Sequence, residues 1–499
     1  MDNVILEVSK YLLLLLMILF TLESFLVLNK KKESARTNLM RKQIVVMLIF
    51  VFLAYFVMFL RTEEFQLIIM YLSVMGYILV VQLLYRIIYK KASLILVNNM
   101  CMLLSIGFII LSRLKISFAM RQFQIVAIST LISFLVPVII RKVKVVRDLT
   151  WLYGVVGILL LAVVLVLAGR SGGAKLSITI GSVSFQFSEI VKITFVFFMA
   201  GMLQMETGFK QVVKTSVVAA MHVGILVLSK DLGTALVFFI AYLVMVYVST
   251  QKVRYAFAGL GGISLASVAA YHLFGHVRQR VEIWQDPFAD YENSGYQIVQ
   301  SLFGICAGGW FGTGLFNGSP DKIPLATMDF TFAAICEEFG IVFAICLILL
   351  CMSTFLLIVN IAVKMSKPFY RLIAIGLGAE YAFQVFLTIG GTTKFIPMTG
   401  ITLPLVSYGG GSVMCTIIML AIIQGLYVLR EDEGEELEKQ SKKRPPKQSK
   451  KDKQKGTKSK DAKPKPQVTK GSGSKRGTAP GADDLEQKIA EQTEKSLHW

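Results

Sequence analysis

The sequence predicts an all-α, polytopic membrane protein. Three observations carry this. Hydrophobic residues make up 55% of the 499 positions, and the mean hydropathy is +0.64. Most of that content falls into uninterrupted apolar runs of about 17 to 25 residues, the length a helix needs to cross a bilayer. The linkers between the runs alternate between basic and weakly charged, as expected when Lys and Arg collect on the cytoplasmic side.

Thirteen spans are expected, at roughly 11–28, 43–60, 66–87, 94–112, 118–140, 149–168, 188–205, 214–228, 234–250, 255–273, 331–360, 370–390 and 411–429. The basic linkers are 30–42, 89–91, 141–148, 251–255, 364–371 and the C-terminal tail, and a thirteen-span arrangement puts them all on one side. The N-terminus is therefore expected outside and the C-terminus in the cytoplasm. Segments 61–65, 169–188, 274–330 and 392–411 then face outward. No cleavable signal peptide is expected, because the first apolar run is long, has no basic stretch before it and no small-residue cleavage site after it. The six cysteines lie within or beside apolar spans without metal-ligand spacing, which fits buried thiols rather than a disulfide framework. The tail from Arg430 carries 19 Lys and Arg against 13 Asp and Glu and little to bury, so disorder is expected there. It lacks the interleaved aromatics that would stack on nucleic-acid bases.

Charge within a membrane is costly, on the order of 2.5–3.5 kcal/mol for a residue at mid-bilayer. Polar residues without a topological reason therefore mark function, and four outward segments contain them. In the first, Ser188 can cap a helix beginning at Glu189, and Glu189 and Lys192 share a helical face, as an ion pair or as site residues. In the second, SKDLGTAL (229–236), Asp231 stands either as a helix cap or at a site. The third runs from HVRQRVEIWQDPF (276–288) through a glycine-rich stretch, Gly304 to Gly318, whose backbone is expected to bend closely around something. It ends at Asp329, which either caps the helix after it or acts as a base. Glu337 lies eight residues on, about 12 Å deeper and about 80° around a regular helix, which argues against a carboxylate pair with Asp329. Glu337 and Glu338 are expected to be buried hydrogen-bonding partners of neighbouring helices. In the fourth, TGITLPLVSYGGGS (399–412), irregular backbone at membrane depth must line a site or pack against protein. The four histidines show no ligand spacing, so no metal site is expected from them.

Taken in order, these segments resemble the SEDS family of bacterial shape, elongation, division and sporulation proteins, which includes FtsW, RodA and SpoVE. The carriers are GAKLSI (173–178), FQFSEIVK (185–192), KDLGTAL (230–236), RQRVEIWQDPF (278–288), GYQIVQS (295–301), MDFTFAAICEEFG (328–340) and TGITLPLVSYGGGS. Ser177, Phe187, Lys230 and Met328 stand where the family pattern has Trp, Pro, Pro and Thr. The resemblance implies a ten-helix core over 94–429 with a large extracellular loop at 274–330. Residues 1–93 then form about three extra N-terminal transmembrane helices, and 430–499 a basic cytoplasmic tail.

The resemblance further implies a peptidoglycan glycosyltransferase. Such an enzyme polymerises lipid II into β-1,4-linked strands at the outer face of the cytoplasmic membrane and releases undecaprenyl pyrophosphate. Asp329 would be its general base, and Arg280 and Lys192 would meet the pyrophosphate. Glu189, Asp231, Lys394 and Ser407 complete the expected substrate site, with Lys322, Lys175 and Lys230 as further outer-face cations. No cofactor is expected with certainty, and a divalent cation is left open. A class B penicillin-binding protein is the implied partner. Lipid II flipping, or scaffolding of that partner, are the competing roles.

Overall fold

Backbone polar groups in lipid must bond within their own segment, so each apolar run closes into a helix. The computed structural model describes residues 2–30, 32–142, 147–167, 170–171, 174–175, 178–180, 183–205 and 207–443. Three helices come first, α1 (Asp2–Asn29), α2 (Glu33–Thr62) and α3 (Phe65–Ile88). Then follow α4 (Leu94–Ser133), α5 (Val136–Lys142) and α6 (Thr150–Leu167). Two minimal antiparallel hairpins, β1–β2 (Arg170–Ser171, Ala174–Lys175) and β3–β4 (Ile178–Ile180, Val183–Phe185), lie between α6 and the next long helix. The chain continues through α7 (Phe187–Leu203), α8 (Phe209–Leu228), α9 (Leu232–Thr250) and α10 (Val253–Leu273). Two shorter helices, α11 (Gly275–Gln285) and α12 (Tyr296–Gly308), precede α13 (Thr331–Val363), α14 (Pro368–Thr392) and α15 (Gly410–Lys443). Residues 1–443 pack as one unit.

Among the described residues, eleven helical stretches are long and apolar enough to cross a membrane. The thirteen expected spans are reconciled with these by two details. The stretch Leu94–Lys142 is 49 residues, more than twice what a bilayer needs, and it breaks at Lys115 (φ −161°, ψ 96°) between the expected spans 94–112 and 118–140. The helix α7 has 17 residues, one fewer than the shortest of the eleven, and is the remaining expected span. One boundary differs. The helix α15 runs on past the membrane to Lys443, so the disorder expected from 430 does not hold for 430–443. Asp432 holds this extension in place by accepting from Lys91 (2.8 Å) and Arg141 (2.6 Å). Residues 444–499 lie outside the described residues.

The helix α14 is central, packing against α7, α9, α13 and α15. By contrast α10 packs on α9 and buries none of its residues. The three N-terminal helices lie against the rest through α13 and α4. Apolar side chains gain little from leaving lipid, so polar groups supply the specificity of such contacts, at about 0.6 kcal/mol each. Gln43 of α2 donates to Ser24 of α1 (2.9 Å), and Asn98 of α4 donates to Gln43 (2.9 Å). Gln82 of α3 donates to Asn98 (2.7 Å), and Asn99 donates to Thr354 of α13 (3.2 Å). All six side chains are buried, and the network joins every N-terminal helix to α4.

The glycine-rich stretch bends around a break in α13. Gly340 has φ +85° and ψ 170°, which leaves the carbonyls just before it without helical partners. The stretch supplies them: Thr313 N donates to Glu337 O and Gly314 N to Glu338 O, both at 2.9 Å. In return Gly309 O accepts from Ile341 N (3.0 Å) and Trp310 O from Val342 N (3.2 Å). The glutamate side chains secure the same loop. Glu337 accepts from Ser319 N at 2.6 Å, and Glu338 from Arg113 of α4 at 2.7 Å. Arg113 also donates to Gly318 O (3.2 Å) and lies 4.3 Å over the Phe316 ring. Glu338 is fully buried and Arg113 nearly so. Glu338→Ala would strand a buried guanidinium, and a loss of about 3–5 kcal/mol is expected. A large fall in the melting temperature of purified protein would register it; an unchanged melt would show the pair to be dispensable.

Candidate active site

The turn carrying Asp329 is built by its neighbours. Leu325 takes φ +55° and accepts from Met328 N (2.8 Å) and Phe330 N (3.3 Å). Phe330 is completely buried and anchors the turn in the core. Thr392 of α14 donates to Asp329 O (3.2 Å), Thr331 to Met328 O (2.9 Å), and Tyr408 N to Thr327 O (2.7 Å). The N-cap of α13 is Phe330 rather than Asp329. The Asp329 carboxylate is thereby left to the cavity beside it.

That cavity measures about 410 Å³, within the range of roughly 300–1,000 Å³ typical of small-molecule sites. Asp231, Asp329 and Glu189 line it together with Arg280 and Lys230, and the loop Met398–Thr402 forms one wall. Arg280, on α11, donates to Thr399 O (3.4 Å). Trp284 on the same helix donates to Lys394 O (3.1 Å), and Lys394 returns a bond to Gln285 O (3.3 Å), so α11 is clamped onto the loop after α14. Asp231 caps α9 by accepting from Thr234 N (3.1 Å). Gly400 (φ +75°) takes a left-handed turn where a Cβ would sit 3.8 Å from the Asp329 carboxylate.

Burial pushes the Asp329 carboxyl up to about 6, with Arg280 pulling it back down. Burial also raises Asp231, against the opposing Thr234 hydrogen bond. Arg280 is lowered by desolvation, opposed by the negative charges of Asp231 and Asp329. The cavity thus presents a carboxylate able to take a proton near neutrality and two cations able to meet a developing anion.

The expected site residues separate into three groups. Asp329, Arg280, Asp231 and Glu189 come together on the cavity, as does Lys230. Lys192 lies behind it, 2.8 Å from Glu189 and donating to Gln384 (2.8 Å). Lys394 and Ser407 are not among the lining residues: Lys394 serves the α11 clamp, and buried Ser407 accepts from Leu403 N (3.1 Å). The segment around Ser407 packs into the bundle, where Gln122 of α4 donates to Ser407 O (2.9 Å) and accepts from Gly409 N (3.0 Å). Ser188 does not cap α7, whose N-cap is Gln186. Lys322 is not on the cavity wall either. Much of GAKLSI, with the Lys175 side chain, lies outside the described residues.

Lys230, in the sequence only one of several further cations, is the lysine on the wall. Its φ of +64° is closed to proline, the residue the family pattern has at this place. Glu380 and Gln384 went unremarked in the sequence. A carboxylate and an amide one turn apart within an apolar span were the available signal. Among the described residues, no group of three His, Cys, Asp or Glu could hold a metal ion.

The fold and site define a polytopic helical membrane protein with an acid-and-base cavity beside the long segment that links α10 to α13. Residues 85–431 match the model of the FtsW, RodA and SpoVE family of cell cycle proteins. The chain belongs to that family. It is 36% identical over 292 residues to the peptidoglycan glycosyltransferase RodA of Mycobacterium tuberculosis strain H37Rv, covering 55% of this chain and 62% of that one. It is 33% identical to the probable peptidoglycan glycosyltransferase FtsW of Aliivibrio salmonicida, covering 54% and 70%. A solved chain from a peptidoglycan synthase complex that coordinates polymerization and crosslinking superposes with a TM-score of 0.60 at 26% identity. That superposition covers 68% of this chain and 98% of the other. Thermus thermophilus RodA shares the fold, with a TM-score of 0.53 at 23% identity over 68% of this chain and 97% of its own. The match spans 62% of the length of the mycobacterial RodA.

Proposed function

We propose that this protein is a peptidoglycan glycosyltransferase that polymerises lipid II at the outer face of the cytoplasmic membrane. The observation that carries the reading is the placement of Asp329, freed from helix capping, on a cavity it shares with Arg280 and Lys230. Asp329 takes the proton of the acceptor GlcNAc 4-hydroxyl as that oxygen attacks the anomeric carbon of the lipid-linked donor. The new β-1,4 bond forms as the bond to the pyrophosphate oxygen breaks, and undecaprenyl pyrophosphate departs. Arg280 and Lys230 meet the charge that develops on the leaving group. Glu189 and Asp231 complete the wall, and Lys192 braces it from behind.

On this reading the N-terminus lies outside and the C-terminus in the cytoplasm. Residues 94–429 form the catalytic core, 1–93 an extension bound to it, and the segment beyond 430 a basic tail. The partner is a class B penicillin-binding protein, in keeping with the synthase complex among its structural relatives.

The test is strand synthesis from lipid II by the purified full chain, together with its cognate penicillin-binding protein made transpeptidase-inactive. Glycan strands from the wild type and none from Asp329→Ala are expected. Folded wild type that makes no strands beside its partner would overturn the proposal. In the same assay Arg280→Ala should lower kcat by about a hundredfold or more, the cost of losing a preorganised charge at the reacting centre. Lys394→Ala should lie close to wild type. Equal losses from the two would mean that the cavity wall has been misassigned.

A further inference from the structure

Behind the first cavity, between α7, α14 and α15, lies a second and much smaller chamber of about 20 Å³. Glu189, Lys192, Glu380, Gln384, Cys415 and Thr416 line it. Glu380 is 3% exposed, and its Oε1 has no hydrogen-bond partner among the described residues. A buried carboxylate oxygen without a partner is expensive, so the chamber must supply one. A space of about 10–15 Å³ suffices for one water, provided polar groups surround it.

The neighbouring lysine points to where that water belongs. An ammonium has three donors. Lys192 directs one at Glu189 and one at Gln384, each at 2.8 Å, which leaves the third for the chamber. Gln384 in turn donates to Thr402 O (3.1 Å) and Ser412 Oγ (3.2 Å), and Thr402 stands on the wall of the first cavity. Lys192, Gln384 and Thr402 therefore form one line of polar contacts from the chamber, which Glu380 shares, to the site.

The charges do not balance if every group is ionised. From α7, Glu189 and Lys192 face Glu380; from α15 comes Cys415, and beside it on α14 is Tyr381. Asp231, at the start of α9, adds a third carboxylate near the same lysine. An ionised Glu380 would leave a negative charge uncompensated within an apolar bundle. We propose that Glu380 is held as a neutral carboxylic acid and, through one enclosed water, positions the Lys192 ammonium on Glu189 and Gln384, so that Thr402 is fixed at the cavity wall. The proton and the water follow from the chamber itself, whereas the consequence for strand synthesis rests on the glycosyltransferase reading.

Two readouts test this on the full-length protein. The infrared spectrum at neutral pH should contain the carbonyl stretch of a neutral carboxylic acid that disappears in Glu380→Gln. No such difference would overturn the neutral acid. Glu380→Gln keeps the shape and hydrogen bonding of the acid and should make strands at the wild-type rate. Glu380→Leu should melt no lower than wild type yet lose about tenfold in kcat, as misplacing a site wall does. Wild-type kinetics for Glu380→Leu would overturn the positioning role. A folded wild type that makes no strands would overturn the glycosyltransferase reading and the positioning role with it, while the infrared band still decides the state of Glu380.

Discussion

Asp329→Asn is expected to abolish strand synthesis while making the folded protein more stable. Loss of a positioned general base costs about 10²–10⁴-fold in rate. The stability gain follows from the same burial. Asp329 is raised from 3.8 to about 6 on folding, so the folded state prefers the protonated carboxyl. Its favourable contribution is complete below the unfolded value and is lost as pH rises through about 6, so at neutral pH the ionised group costs on the order of 3 kcal/mol. Asparagine carries no charge to desolvate. A higher melting temperature at pH 7, with the difference from wild type closing toward pH 4, is the expected signature. The same titration predicts that the wild-type rate falls as pH drops through about 6. An inactive variant that is also less stable would instead mark Asp329 as a structural residue.

Gly340→Ala should be among the most damaging single methyls in the described residues. At φ +85° and ψ 170° the backbone occupies a region open essentially to glycine alone. A Cβ there would lie 2.3 Å from Gly312 N, and one on Gly312 would lie 2.2 Å from Glu338 O. Neither neighbour can yield, since both are backbone held in the interlock between the glycine-rich loop and the break in α13. Strain and lost hydrogen bonds together should cost about 4 kcal/mol or more, enough to prevent recovery of folded protein. Gly261→Ala is the control. It lies in α10, a Cβ there meets nothing within 4 Å, and the melt should be unchanged or slightly higher. Equal behaviour of the two variants would refute the interlock.

Several site residues were legible because membrane burial makes a charge conspicuous. Asp329, Asp231, Arg280 and the Glu189–Lys192 pair stood out against apolar surroundings, and the structure brings them to one cavity and the chamber behind it. Lys394 and Ser407 stood out equally and serve packing. Composition reports that a polar group must be satisfied, and only the fold reports by what. The glycine-rich stretch teaches the same lesson. Its close backbone approach was visible in the residues, but the thing approached was a break in α13 rather than a ligand. Glu337 and Glu338 were expected beside neighbouring helices, and their carboxylates secure that loop, Glu338 by way of Arg113 on α4. The helical spacing used to place them was counted from Asp329, which lies in the turn before α13, and within the helix it fails at Gly340.

The sequence by itself determined that this chain is a polytopic helical membrane protein, where its spans lie and which segments between them carry charge. Those properties depend on local hydrophobicity and on the price of charge in lipid, and both are written residue by residue. The tertiary structure decided which cations reach the cavity, that Phe330 takes the helix cap and leaves Asp329 to the site, and that the first three helices are joined to α4 through buried amides. It also placed Glu380 beside Lys192, 188 positions away in a chain whose helices must pack to meet. Contacts of that kind depend on how helices pack side by side, and hydropathy carries no record of neighbours.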